Sequence, residues 1–141
     1  MSAMSDYLEV ELRKHVFRTG TYTKPTVLGF SFCTASPTDA GTGASQSEVP
    51  NAAAYARIDR PPLDANWTGA SAVDGLTDNA AAITFVAATG AWGTCTHTAI
   101  NDSITYGAGN MLLHGALGTS KVVGNGDVIA FALGAFDITF A

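Results

Sequence analysis

The stretch LGFSFC, residues 28–33, decides the fold class that we predict for this chain. Its large apolar residues Leu28, Phe30 and Phe32 alternate with small ones, and this period of two is typical of a β-strand. Similar patterns follow at residues 55–58, 83–85, 94–100, 111–117, 121–123, 128–133 and 136–140. No helical pattern separates the later strands, which argues against a parallel sheet. We therefore predict a mainly β fold, an antiparallel jelly roll or other β-sandwich of about seven or eight strands.

One amphipathic α-helix precedes these strands, in the sequence SDYLEVELRKHVF at residues 5–17. Ser5 is a suitable N-cap, and Leu8, Leu12 and Val16 recur every four residues to form one apolar stripe. A helix of about three turns is not stable alone in water. The stripe must therefore pack either on the strands of its own chain or on a partner, and the sequence leaves both open.

The charges divide the chain into an N-terminal helical arm, residues 1–24, and a single β-sandwich domain, residues 25–141. The arm holds four of the seven basic residues, namely Arg13, Lys14, Arg18 and Lys24, whereas nine of the twelve acids follow it. Charged residues make up only 13% of the chain, about half the usual share. A surface with so little charge favours association, so we predict a homodimer or another homo-oligomer.

The same composition excludes some partners. The net charge is −5, and an acidic chain lacks the basic surface that binding to nucleic acid requires. No apolar run approaches the length of about 18 residues that a membrane span needs. The first twenty residues are charged and do not resemble a signal peptide.

The histidines and cysteines do not predict a catalytic site. His15, His97 and His114 have none of the spacings of a metal-binding motif. Cys33 and Cys95 lie in apolar strand patterns, and we expect two reduced thiols in the core. A dyad of either cysteine with His97 stays open, because catalytic residues assemble in space rather than in sequence.

Two pairs of acids, Asp59 with Asp64 and Asp74 with Asp78, are the other candidates for a metal site. Their spacing does not match a calcium-binding loop, and Asp is expected in such turn-rich sequence. We therefore predict that the chain is not an enzyme and has no catalytic residues, metal or cofactor.

Exposed apolar side chains are the better candidates for a functional site. Trp67 lies in a polar loop and suits an interface, whereas Trp92 lies between strands, where we expect it to plug the core. The predicted interface residues are Tyr7, Leu8, Leu12, Val16, Phe17 and Trp67.

Turn signals predict two further features. Asn125-Gly126 is a strong type I′ turn signal, and it predicts a hairpin that joins residues 121–123 to residues 128–133. The polar loops at residues 36–54 and 59–80 are long for a small domain, and we expect them to form binding surfaces or to be ordered by a partner.

Eight short motifs, spread in order over nearly the whole chain, carry a resemblance to a known family. They lie at residues 5–9, 15–18, 22–23, 36–41, 55–57, 83–85, 92–94 and 137–139. In these motifs the chain resembles small virion proteins of tailed bacteriophages, described as tail-fibre-like or capsid-associated. It is also similar to the small jelly-roll cement proteins of phage heads, including that of a Bordetella phage. The Ala-rich stretch at residues 45–54 departs from the Gly-rich acidic turn of the family.

The resemblance implies a structural protein of the virion that is made in the cytoplasm of the bacterial host. We expect a cement or decoration protein on the capsid exterior that stabilises the head by bridging subunits of the major capsid protein. A protein that binds only the assembled lattice stabilises it by mass action, and a bridge adds effective concentration. The alternative is a tail-fibre or baseplate component that recognises host glycans.

Overall fold

Nine β-strands and one α-helix lie in residues 3–69 and 75–139, which are the residues that the computed structural model describes. The helix α1 spans Asp6–Phe17. The strands are β1 (Ala3–Met4), β2 (Gly29–Cys33), β3 (Ile58–Asp59), β4 (Leu76–Asp78), β5 (Ile83–Thr84), β6 (Gly93–Asn101), β7 (Met111–Val123), β8 (Ala130–Phe131) and β9 (Asp137–Thr139). Their pairings are antiparallel, so the predicted mainly β class with one N-terminal helix is confirmed.

The largest sheet has five strands in the order β1-β7-β6-β2-β3, and two smaller sheets pair β4 with β9 and β5 with β8. This order does not establish the predicted jelly roll. Strand β2 lies inside the large sheet, and each of its five residues is buried. Gly29 allows another segment to approach β2 closely, since a Cβ atom there would lie 2.3 Å from the carbonyl oxygen of Ser103.

The alternation in β2 places different side chains on its two faces. Phe30 and Phe32 belong to the main apolar core, whereas Cys33 packs in a small second cluster with Ala99 and Met111. Aromatic rings make up much of the main core, and the ring centroids of Phe32 and Phe85 lie 4.6 Å apart. Such pairs contribute about 0.5–1.5 kcal/mol beyond the area they bury.

Trp92 is buried in the main core, as predicted, and its indole Nε1 donates to the carbonyl of Ala53 at 2.9 Å. The two cysteines are free and buried, which confirms the prediction of reduced core thiols.

A turn forms at Asn125-Gly126, but the predicted type I′ geometry and the predicted hairpin are both wrong. Of the two residues only Gly126 has a positive φ, whereas a type I′ turn needs one at both. The turn is closed by the amide of Gly124, which donates to Asp127 Oδ2 at 2.8 Å. The chain then leaves β7 and pairs with the segment around β5, where the amide of Ala88 donates to the carbonyl of Asp127 at 2.9 Å. Pairing with β5 rather than with β7 places the returning chain beside Ile83, which is buried in the main core.

Other boundaries also differ from those the sequence predicts. Residues 111–117 and 121–123 form one strand, β7, and only the end of the predicted strand at residues 55–58 is regular. Phe140, which the sequence places in the last strand, lies outside the described residues.

A buried ion pair between Glu48 and Arg57 joins the loops that cover the second face of the large sheet. The two side chains are 4% and 0% exposed, with Arg57 Nη2 at 2.7 Å and Nε at 2.9 Å from the carboxylate oxygens. The other donors of Arg57 reach the carbonyls of Ser103 (2.9 Å), Ala108 (2.8 Å) and Gly43 (2.9 Å). All five N–H donors of the guanidinium therefore have acceptors.

The carboxylate of Glu48 is equally well satisfied. It accepts hydrogen bonds from the hydroxyl of Tyr55 (2.9 Å) and from Gln46 Nε2 (2.9 Å), besides those from Arg57. Tyr55 in turn accepts from the amide of Phe32 at 3.0 Å, which connects this network to β2. Much of the loop at residues 36–54 is thus ordered by contacts within its own chain.

We predict that Glu48→Gln lowers the free energy of unfolding by about 3–5 kcal/mol, because it leaves the buried charge of Arg57 uncompensated. The matched control is Glu11→Gln, which removes the ion pair of Glu11 with the half-exposed Lys14 (2.8 Å) and should cost less than about 1 kcal/mol. Urea unfolding of the two variants measures both values. Equal losses would contradict a structural role for the buried pair.

We also predict that stability falls above about pH 9. Burial raises the pKa of Cys33 from 9.0 to about 12, with a further contribution from the Glu48 carboxylate, and burial raises that of Cys95 to about 11. Above pH 9.0 the unfolded chain therefore binds fewer protons than the folded one, so the free energy of unfolding decreases as pH rises, by about 1.4 kcal/mol per pH unit and group. Urea unfolding from pH 7 to 10 measures this slope.

The control for the pH series is the double variant Cys33→Ala and Cys95→Ala. It should be less stable at every pH but should lose most of the slope between about pH 9 and pH 10. An unchanged slope in this variant would show that other groups cause the alkaline loss.

Candidate functional site

The first half of helix α1 is fixed to the β-strands of its own chain. Ser5 caps the helix, with its Oγ accepting from the amide of Leu8 at 3.3 Å and donating to the carbonyl of Met111. The amide of Ser5 donates to the carbonyl of Leu112 at 2.9 Å, and that of Asp6 donates to the carbonyl of Asp39 at 2.8 Å. The start of the helix is therefore anchored on β7 and on the loop that precedes residue 40.

The second half of α1 extends from this anchor into solvent. Val16 is 64% exposed and Phe17 is 80% exposed. We call the surface of this end the arm tip, and a shallow groove there is lined by Val10, Arg13, Lys14, Phe17, Arg18, Thr19 and Gly20. The arm tip combines exposed apolar side chains with three basic ones, which suits binding to an apolar, acidic surface.

The predicted interface residues separate into two groups. Leu8 is buried in the main core, and Tyr7, Leu12 and Trp67 are partly buried against it. Trp67 stacks on Phe30 with ring centroids 5.8 Å apart. Only Val16 and Phe17 of the six are largely exposed, so they are the ones best placed to meet a partner.

A second exposed feature is a cleft of about 300 Å³ between strands β6 and β7 and the segment at residues 131–137. We call it the strand cleft. Ile100, Leu113, Phe131 and Phe136 give it an apolar lining, and Asp137 adds a carboxylate. Further lining residues are Thr98, Ala99, His114, Gly115, Ala116, Leu117, Gly118 and Ala135. His114 Nε2 lies 2.9 Å from Oδ1 of the exposed Asp39, which is outside the cleft lining.

One side of the strand cleft is shaped by a large β-bulge. Cys95 pairs with Lys121 and His97 pairs with Ala116, so Thr96 alone faces residues 117–120 of β7. Extra residues bend a strand and leave backbone groups unpaired. Here the bulge places Leu117 and Gly118 in the lining of the cleft. No pattern in the sequence predicts this register shift.

The other side of the cleft is held by the buried side chain of Asn79. Its Nδ2 donates to the carbonyls of Ala81 and Ala132, each at 2.8 Å, and its Oδ1 accepts from the amide of Phe136 at 2.9 Å. Its carbonyl also accepts from the amide of Gly134 at 2.9 Å. Asn79 therefore fixes the loop that carries Phe131 and Phe136.

Cys33 and His97 form one of the two catalytic dyads that the sequence leaves open. Cys33 lies opposite His97 in the sheet, but the thiolate is the reactive form of cysteine, and a pKa of about 12 keeps Cys33 protonated at neutral pH. This argues against the Cys33/His97 dyad. Nδ1 of His97 instead lies 2.8 Å from the hydroxyl of Thr96.

Within residues 3–69 and 75–139, no three His, Cys, Asp or Glu side chains come together in a way that could hold a metal ion. Asp74 of the Asp74–Asp78 pair lies outside the described residues. Within the same ranges no helix has the length and apolarity needed to cross a membrane.

A comparison with protein families matches residues 3–139 to the podophage GP4 fiber I protein gp80. The chain belongs to this family. The match covers nearly all of this chain, and it confirms the prediction of a bacteriophage structural protein of the virion. It does not support the predicted capsid cement role, because the family is one of fibre proteins, and it fits the alternative of a tail fibre better. A comparison with curated proteins gave no match.

We predict that Asn79→Ala destabilises this gp80-family protein and loosens the strand cleft. The change leaves the amide of Phe136 and two carbonyls without partners, at a cost of about 1–3 kcal/mol for each buried group. Urea unfolding measures the loss, and hydrogen exchange should show the Phe136 amide losing protection. Asn125→Ala in the exposed turn is the matched control and should change stability by no more than about 0.5 kcal/mol. Unchanged protection of Phe136 would contradict the role of Asn79.

Proposed function

We propose that this chain is a structural subunit of a phage tail fibre and that it acts by binding neighbouring subunits rather than by catalysis. The observation that carries the proposal is the match of residues 3–139 to a family of podophage fibre proteins. The two thiols, whose pKa values are raised to about 12 and about 11, are poor nucleophiles at neutral pH and support the same view.

The surface of the chain also suits a subunit that is covered by others. Large apolar side chains are exposed at Val16, Phe17, Leu63, Val86, Ile104, Tyr106, Val122, Val128 and Leu133. Single exposed apolar residues are normal, but some of these lie together. Val16 and Phe17 share the arm tip, and the pairing of β5 with β8, extended by the bond from Phe85 to Ile129, places Val86 opposite Val128.

The partners that we propose follow from these surfaces. Copies of the same chain are the first candidate, because a surface with few charges favours association. Nucleic acid is not proposed as a partner, because the chain is acidic overall, with a net charge of −5.

The test is the position of the protein on the virion. We predict that gold-labelled antibody against this chain binds the tail of purified particles, with an antibody against the major capsid protein as the control that labels the head. Quantitative mass spectrometry of the same particles should give a copy number far below that of the major capsid protein. Label spread over the head, with a copy number close to that of the capsid protein, would overturn the proposal in favour of a cement protein.

A further inference from the structure

We propose that the arm tip of one copy docks in the strand cleft of a second copy, with Phe17 in the cleft and Arg18 paired with Asp137. This inference rests on the proposed function, since a structural fibre subunit must bind others. It names the two surfaces that meet, and these surfaces lie on different parts of the chain.

Shape and polarity support this pair of surfaces. Phe17 is 80% exposed, and the strand cleft of about 300 Å³ offers apolar walls that include Phe131 and Phe136. An aromatic ring binds well between other rings in offset or edge-to-face arrangements. A buried aromatic anchor in such a cleft is the usual centre of a protein interface.

Charge complementarity selects a second copy as the occupant of the cleft. Residues 1–24 carry a net charge of +1 (four basic and three acidic residues), whereas residues 25–141 carry −6 (three basic and nine acidic residues). Lys14 of the arm tip pairs with Glu11, but within the described residues no ion pair involves Arg13 or Arg18. Asp137 lines the strand cleft and is exposed. The basic, apolar arm tip therefore matches the acidic, apolar cleft.

The geometry of α1 directs the arm tip away from its own chain. The first turn is anchored beside β7 through Ser5 and Asp6. From Asp6, a helix rising about 1.5 Å per residue carries Phe17 about 16 Å along its axis. Phe17 is 80% exposed at the end of this helix, so a second copy can receive it without any change in α1.

The contact joins two different surfaces, so it is heterologous. Heterologous contacts repeat from one subunit to the next and form a closed ring or an open filament, depending on the rotation between subunits. Both arrangements suit a component of a fibre, and neither limits the chain to a dimer.

Charge reversal tests the proposal on the full chain. We expect the wild-type protein to associate in sedimentation equilibrium, and Arg18→Asp or Asp137→Arg alone to weaken association at least about fivefold. The double variant Arg18→Asp with Asp137→Arg should restore the wild-type dissociation constant to within about threefold. Phe17→Ser should weaken association at least about tenfold. The matched control is Leu63→Ser, a single exposed apolar residue outside both surfaces, which should leave association unchanged.

These variants should keep the urea unfolding curve of the wild type, because the altered side chains are exposed. A wild-type protein that is monomeric at all concentrations would overturn the inference. So would a double variant that binds as weakly as the two single ones.

Site-directed crosslinking gives an independent readout. The two native cysteines are buried, so Thr19→Cys at the arm tip and Ala135→Cys at the cleft introduce the only exposed thiols among the described residues. Under mild oxidation we expect a mixture of the two single variants to form mixed disulfide dimers much faster than either variant alone. Rapid dimers of Thr19→Cys with itself would overturn the inference, because they would indicate contact between two arm tips.

The two proposals fail in different ways. If the protein is found on the head of the virion, the tail-fibre function is overturned, and the crosslinking experiment still tests the docking of the arm tip. Tail location without mixed crosslinks would support the fibre function and overturn the docking.

Discussion

The guanidinium of Arg57 has all five of its donors satisfied without exposure to solvent, and the loops on one face of the large sheet are arranged around it. Burial of a charge pair costs several kcal/mol per ion unless every donor and acceptor is satisfied. The pair with Glu48 meets this condition because segments distant in sequence, near Gly43 and Ser103, supply carbonyls. A loop arrangement that moved these carbonyls away would leave donors of the buried guanidinium without partners.

The two faces of the large sheet are therefore covered in different ways. On one face, Phe30 and Phe32 pack into an aromatic core, which tolerates some variation in contact geometry. On the other, polar loops are fixed by hydrogen bonds that require defined positions. This division explains why much of the long loop at residues 36–54 is ordered by contacts within its own chain.

This arrangement leaves the arm tip and the strand cleft exposed, and these are the two surfaces that we propose to bind other subunits. Anchoring of the first turn of α1 leaves the arm tip exposed, and the bulge in β7 together with Asn79 leaves the strand cleft open. Membership in a family of fibre proteins gives these surfaces a context, because a fibre subunit works by repeated contact with its neighbours. Neither surface requires a reactive group for this role.

The sequence by itself determined the features that depend on neighbouring residues: the helix at residues 5–17 with its Ser5 cap, the alternation in β2 and the turn at Asn125-Gly126. Only the tertiary structure decided which strand pairs with residues 128–133, how Thr96 comes to face four residues of β7, and that Glu48 meets Arg57. Periodicity shows which side of a strand is apolar, and turn residues show where the chain bends. The choice of hydrogen-bond partner involves segments that lie far apart in sequence. Competing strand pairings differ in how completely the whole fold satisfies its buried polar groups, and neighbouring residues do not reveal this difference.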